Sequence, residues 1–295
     1  MAEPGRAGAT VRRVAALVVA AMVCVLAGGG IAWAWWRGSG TATAPTTQIS
    51  AGTVDVQVVG LGGGLVGPGG TVSLPALTLT GAVPGSGASE IDTVRNGGSR
   101  AATVTATTAR SGTLGTDFTM SASFGASDTG TGCGTGAGST ATVPAGGTAT
   151  LCVAVTLSGS APSTTQGQTG GVSVALRASL PGTSWTDTGT VVSGAVGAAT
   201  DPVPTLSCGL LGIGSVTFNW TAVPSATGYQ FSYGSGSTTV PVAAGTTSYR
   251  VTQQAAGATA QVRAERAFAG GVTWTSAGSA TRTYTVALGL LGICA

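Results

Sequence analysis

The chain has 295 residues, of which only 7% are charged and 43% are apolar, against about 25% charged in an average soluble protein. It contains no His, and all 12 of its basic residues are Arg. An imidazole base, a His metal ligand and a Schiff-base lysine are therefore excluded, and a chain rich in Thr and Ala with 51 Gly and 12 Pro speaks against a helical protein.

Arg12 and Arg13 precede an apolar run from Val14 to Trp36, interrupted only by Gly28, Gly29 and Gly30. A basic start, an apolar middle and the small-x-small triplet Ala32, Trp33, Ala34 make a secretory signal cut after Ala34, so that Trp35 begins the mature chain. The alternative is a retained anchor, because a run of this length reaches the ~20 residues that span a bilayer and the Arg pair would keep its start in the cytoplasm. Both readings place residues from about 35 onward outside the cytoplasm, secreted or on the cell surface, with a signal peptidase as the export partner. Before the cut lie Arg6, Arg12, Arg13 and Glu3, net +2; after it lie nine Arg and eight acids, net +1. So little positive charge excludes a nucleic-acid footprint.

Cys24 lies inside the apolar run. The other four cysteines, Cys133, Cys152, Cys208 and Cys294, suit two disulfides in an exported chain. Four cysteines allow three connectivities. Pairing within each half, Cys133 with Cys152 and Cys208 with Cys294, is the expectation.

Residues 35–48 read as a flexible polar segment. Short alternating runs follow at 53–59, 71–80, 89–95, 101–108, 117–124, 148–157 and 171–180, separated by Gly, Pro and Ser. Val54, Val56 and Val58 share one face and Val172, Val174 and Leu176 another, the period of two of half-buried strands. The prediction is an all-β chain whose first domain, 49–197, is a jelly-roll-like antiparallel sandwich. Two prolines within 198–204 make that stretch a linker. Further strands at 205–208, 216–221, 228–233, 238–243, 248–252, 259–266, 272–275 and 280–286 make residues 205–295 a second sandwich of immunoglobulin-like size.

The first unit resembles the TasA/camelysin family, exported proteins whose signal is processed by a SipW-type peptidase. The resemblance runs through GGGIAWA at 28–34, ISAGTVDVQ at 49–57, VPG at 83–85, VRNGGS at 94–99 and QGQ at 166–168. It implies a jelly roll, the cell surface and, for some members, extracellular fibres of the biofilm matrix. Some relatives carry a metallopeptidase label. This chain has no His and no H-E-x-x-H, and no catalytic residue carries over.

The second unit resembles a fibronectin type III domain. VTFNW at 216–220 and YQF at 229–231 look like its strands B and C, with Trp220 as the core tryptophan. TSYRV at 247–251, AQVRA at 260–264 and SATRT at 279–283 look like strands E, F and G, with Trp274 beside the last. The tyrosine usual near the start of strand F is Ala258 here. GLLGI at 209–213 recurs at 289–293, next to Cys208 and Cys294, and the two copies are expected to cover one end of the sandwich as an apolar pair.

Chemistry-bearing groups are few. Glu90 and Asp92 at i, i+2 share one strand face, as a cation site, a carboxylate pair for general acid–base work, or two acids on a solvated face; the solvated face is the expectation. Gly62–Gly64 and Gly67–Gly70 lack the Lys-Ser/Thr of a phosphate loop. Trp185 and Trp274 read as core or edge aromatics ahead of sugar platforms. No cofactor or metal ligand set is expected. The reading is a non-enzymatic exported protein with a structural or adhesive role. Its partners would be further copies, other surface proteins or polysaccharide, and it would meet the membrane only through the N-terminal segment. A binding module for cell-wall carbohydrate or peptide is the alternative, and a carboxylate hydrolase the third reading. For fibre growth, residues 35–48 and the strand at 53–59 would add to a neighbour's open sheet edge.

Overall fold

The computed structural model describes residues 41–44, 47–50, 53–59, 65–66, 69–235, 238–253, 255–287 and 289–295. The signal or anchor segment 1–34, with Ala32, Ala34 and the expected cut before Trp35, lies outside the described residues. Among the described residues no helix is long and apolar enough to cross a membrane.

The N-terminal part contains strands β1 (Thr41–Ala44), β2 (Thr47–Ser50), β3 (Val56–Val59), β4 (Leu65–Val66), β5 (Thr71–Leu74), β6 (Leu79–Ala82), β7 (Gly87–Asn96), β8 (Ala102–Arg110), β9 (Phe118–Phe124), β10 (Thr140–Val143), β11 (Thr148–Leu157), β12 (Thr169–Gly170), β13 (Val172–Ser179), β14 (Thr186–Ser193) and β15 (Val196–Ala198). One five-stranded sheet has the order β10-β8-β13-β14-β5, the other β4-β3-β7-β11-β9, and a three-stranded sheet β12-β15-β6 flanks them. From β7 to β13 the long strands alternate between the two large sheets, which is the winding of a jelly roll. Leu151, Val153 and Val155 of β11 meet Val94, Val104, Phe118, Phe124, Val174 and Leu176 in the core between them.

The antiparallel pattern is interrupted by two parallel pairings, β5 with β14 and β6 with β15. Pro75 explains both the break and the splitting of the single strand expected at 71–80. It lacks the N–H that would continue β5, so the chain turns through Leu77, which is buried, and resumes in another sheet. Strands β10, β14 and β15 fall where no strand was expected. Their sequences are Thr-, Gly- and Ala-rich, and pairing depends there on neighbours supplied by the rest of the fold.

Residues 41–44 and 47–50 pair with each other, from Thr41 opposite Ser50 to Ala44 opposite Thr47. This corrects the expectation of a flexible segment over that part of 35–48, because alternating β-branched Thr suits a hairpin. Strand β3 pairs with β7 and β4 inside its own domain. It is therefore not the free strand that the fibre-growth expectation required.

The C-terminal part contains β16 (Leu206–Gly212), β17 (Ser215–Trp220), β18 (Gly228–Gly234), β19 (Thr238–Ala243), β20 (Ser248–Val251), β21 (Ala255–Ala267), β22 (Thr273–Thr275), β23 (Arg282–Val286) and β24 (Ile293–Cys294). Sheet β16-β17-β20 faces sheet β19-β18-β21-β23-β24, with β22 also on β21. This is the three-on-four order of a fibronectin type III sandwich, with β24 added at the edge. Trp220 stacks on Phe231 at 5.6 Å, and Phe218 meets Tyr284 edge-on at 5.4 Å.

Two hydroxyl devices replace missing backbone pairing. Between β22 and β23 the strand bulges, and the Ser276 and Ser279 hydroxyls accept the N–H groups of Ala264 and Val262. With Ala258 in place of the usual tyrosine of strand F, Tyr229 of β18 does a related job, its hydroxyl accepting the Val223 N–H at 2.9 Å.

Candidate functional site

Glu90 and Asp92 share one face of β7, and it is the face turned into the sandwich, alongside Ala88, Val94 and Asn96. The expectation of a solvated pair is corrected. The Glu90 carboxylate accepts the Leu77 N–H at 2.8 Å, so it stitches the turn after β5 to β7. Asp92 is 6% exposed; its Oδ1 accepts the Thr93 N–H at 2.7 Å, and its Oδ2 has no hydrogen-bond partner. Burial, with Glu90 adding repulsion, pushes the Asp92 carboxyl up to about 6. A cation centre would need more donors, and among the described residues no cluster of three or more Cys, Asp or Glu is placed to hold one. Nearby Asp128 behaves oppositely: the Ser89 hydroxyl and the Gly130 N–H donate to it and hold it below the ordinary carboxylate range.

Asn96, in the VRNGGS stretch, is a structural hub. Its amide donates to the carbonyls of Arg100 and Val143, and its Oδ1 accepts the Gly98 N–H at 2.9 Å. In the VPG stretch, Gly85 has φ of 87° and Ser86 N–H bonds back to the Val83 carbonyl, a tight turn that only glycine enters without strain.

Cys133 and Cys152 are joined, with Cα atoms 5.8 Å apart, as are Cys208 and Cys294 at 5.9 Å. Each bridge lies within one domain. Cys152 is on the outward face of β11 and is fully buried, because the loop carrying Cys133 is tied down over it. The second bridge joins β16 to β24 beside the two GLLGI copies. These copies do run antiparallel: Ile213 lies opposite Leu291, Gly214 N–H bonds the Leu290 carbonyl at 2.8 Å, and Gly292 N–H bonds the Gly212 carbonyl at 3.0 Å. They do not, however, bury their side chains. Leu210 is 83% exposed and Ile213 71%, and Leu211, Leu290, Leu291 and Ile293 are exposed as well. Gly292 is the residue laid against the sandwich, where a Cβ would run into the Ser215 carbonyl. With the glycine inward, the flanking aliphatics must turn outward.

At the opposite end of the second sandwich, the turn after β21 docks on the first domain. Trp274 is fully buried among residues of the first domain's core, and its indole N–H donates to the Ala161 carbonyl at 2.8 Å. Phe268 meets Trp274 edge-on at 5.2 Å, and the Arg266 guanidinium lies 4.9 Å from the Phe268 centroid. Arg266 also pairs with Asp201 in the linker at 3.5 Å. Gln166 clamps the junction, donating to the Thr275 carbonyl and accepting the Asp201 N–H. Ser163 accepts the Thr275 N–H at 2.9 Å. Trp274 is thus a core aromatic, but of the junction rather than of its own sandwich. Trp185 is 40% exposed at the head of β14.

Two surface grooves are formed by described residues. One, of about 480 Å³, is lined by Ser232, Tyr233, Thr259, Gln261 and Thr281. The other, of about 430 Å³, lies between β8 and β9 and is lined by Thr107, Met120 and Ser121 among others. Neither lining contains a charged side chain. They offer hydroxyl and amide hydrogen bonds without acid–base or nucleophile pairing.

No family model matches the chain, and no curated protein matches it. Among solved structures it is similar to the FN1–FN3 domains of chicken CNTN1, at 16% identity and a TM-score of 0.26 over 83% of this chain and 73% of that one. It is also similar to a two-domain fibronectin type III segment of chicken tenascin, at 12% identity and 0.26 over 70% and 95%. A third likeness, at 9% identity and 0.26 over 76% and 99%, is to a chaperone–tip adhesin complex of CFA/I fimbriae biogenesis.

Proposed function

We propose that this chain is an exported, non-enzymatic protein of the cell surface or extracellular matrix with a structural or adhesive role, its first domain of the TasA/camelysin type. The observation that carries the reading is the junction. Trp274, Gln166 and the Arg266–Asp201 pair hold two sandwiches end to end, and each sandwich is closed by its own disulfide. Covalently closed domains suit an oxidising compartment, and a locked junction suits a part that keeps a fixed length. The acid pair supports the same side. A hydrolase needs its carboxylates in a substrate cleft, whereas Glu90 holds a backbone N–H and Asp92 faces the core.

The second reading, a module binding a neutral polar ligand such as carbohydrate, draws on the groove beside Tyr233, whose lining of hydroxyls and one amide matches sugar hydroxyls in hydrogen-bonding character. The test is to express the full chain in its own cells. One then asks whether intact cells expose it to added protease or antibody, with N-terminal sequencing of the recovered protein. Surface exposure, oxidised cysteines and a start at Trp35 are expected. A cytoplasmic protein with free thiols would overturn the proposal, and a surface protein still beginning near Met1 would replace the cleaved form with the anchored one.

A further inference from the structure

The aliphatic ribbon at the tip of the second domain is unlike the rest of the surface. Among the described residues, the large apolar side chains exposed elsewhere are Ile91, Trp185 and Val203, which are scattered singly. Exposed apolar residues scattered singly need no explanation, but a contiguous patch does. In the ribbon, Ile213 and Leu291 are a cross-strand pair, and alternation puts Leu211 and Ile293 on the same face; Leu210 and Leu290 are exposed off that face. The Cys208–Cys294 bridge joins the two strands at one end of this ribbon.

We infer that this tip is a self-association surface whose occupant is the same tip of a second copy of the chain. Three features of the molecule lead there. The first is area. Scaled by the surface of a free Leu or Ile, the four residues on that face expose roughly 450 Å², more than half of the ~800 Å² that each partner contributes to a standard interface.

The second feature is symmetry. A twofold interface needs one patch that is complementary to itself. Two identical pentapeptides, antiparallel and side by side, offer the same residues on either side of an axis, so 209–213 of one copy meets 289–293 of the other.

The third feature is charge. The pentapeptides contain no ionisable side chain. The basic group beside them, Arg250, donates to Ser215 Oγ at 2.9 Å. A peripheral lipid-binding surface draws on a cluster of Lys and Arg, which the described residues of this tip do not offer. The tip is also at the far end of the sandwich from the Trp274 junction, so a partner there meets no obstruction from the first domain. Such a pairing closes as a dimer.

Sedimentation velocity on the purified, oxidised mature protein from about 1 to 100 µM tests this, with Leu211→Asp/Leu291→Asp and the milder Ile213→Ser/Ile293→Ser as variants. Both alter exposed side chains, and circular dichroism and non-reducing mapping check that each keeps its fold and bridges. A reversible dimer is expected, weakened at least ~100-fold by the Asp pair and less by the Ser pair. A protein monomeric at 100 µM, or a dimer unmoved by both variants, overturns the inference. So does a monomer that cosediments with phosphatidylglycerol vesicles, which would make lipid the occupant. None of these results bears on whether the chain is exported, which the cell-surface experiment decides separately.

Discussion

Asp92 makes the stability of the first domain depend on pH in an unusual direction. Its carboxyl is pushed from 3.8 up to about 6, mainly by burial. A group whose pKa is raised in the folded state favours folding while it is protonated, and that contribution is lost as pH rises through the folded value. Below pH 3.8 the carboxyl is neutral in both folded and unfolded chains. Between 3.8 and about 6 the folded protein holds a proton that the unfolded chain releases, and above 6 the folded protein contains a buried carboxylate whose Oδ2 has no hydrogen-bond partner. The difference amounts to about 3 kcal/mol at most at neutral pH, from ~1.4 kcal/mol per pH unit. Water reaching the carboxyl from the Glu90 side would reduce it.

Asp92→Asn keeps the shape and the acceptor for the Thr93 N–H while removing the charge. Its measure is urea unfolding followed by tryptophan fluorescence, wild type against variant, at half-unit steps from pH 4 to 8. The variant should exceed wild type by 1–3 kcal/mol at pH 8, and the gap should shrink steadily toward pH 4. Asp128, held low by Ser89, loses its contribution as pH falls, but it does so equally in both proteins and cancels in the comparison. A gap that stays constant across the range would refute the burial argument.

Truncating Trp274 to Ala should cost about 3–5 kcal/mol for the cavity and leave the Ala161 carbonyl unpaired. Thermal unfolding should then separate into two transitions where wild type shows one, and scattering should report a wider range of domain angles. Replacing Cys208 and Cys294, 86 residues apart, with Ser should destabilise the second domain alone by about 4–5 kcal/mol in the chain-entropy model. Replacing Cys133 and Cys152 should cost the first domain about 3 kcal/mol for its shorter loop, both read by denaturant midpoints. Glu90→Gln and Asp92→Asn should leave any peptidase or glycosidase signal of the preparation unchanged in a substrate panel; a signal abolished by either would revive the hydrolase reading.

The strands with strong alternation were legible in the sequence because side-chain direction along a strand is a local property. Val172, Val174 and Leu176 need no distant partner to declare a face, and the same holds for VTFNW at 216–220. The disulfide partners were legible for a related reason: two cysteines in each half leave one economical arrangement once the halves are separate domains. Strands such as β14 and β15 carried no such mark, since Asp, Gly and Ala interrupt their apolar alternation and extended structure there depends on the hydrogen bonds a neighbouring strand offers.

The charged pair exposes the limit of local reading. Alternation correctly placed Glu90 and Asp92 on one face of β7, but a period of two does not say which face meets the core. Only the second sheet and the Leu77 turn, folded against that face, turned it inward. The GLLGI copies were equally ambiguous. Their repetition beside two cysteines indicated that they pair, which they do. Whether the aliphatics point in or out was decided by the close approach of Gly292 to Ser215, a contact between residues 77 positions apart. Trp274 is the clearest case: its sequence neighbourhood assigned it to the second sandwich, and the docking of two domains gave its ring to the core of the first. By itself the sequence determined period, pairing chemistry and the absence of imidazole and lysine chemistry, all of which are carried by neighbouring residues or by composition. Tertiary structure decided which side of each strand is inside, because burial is a property of what packs against a residue.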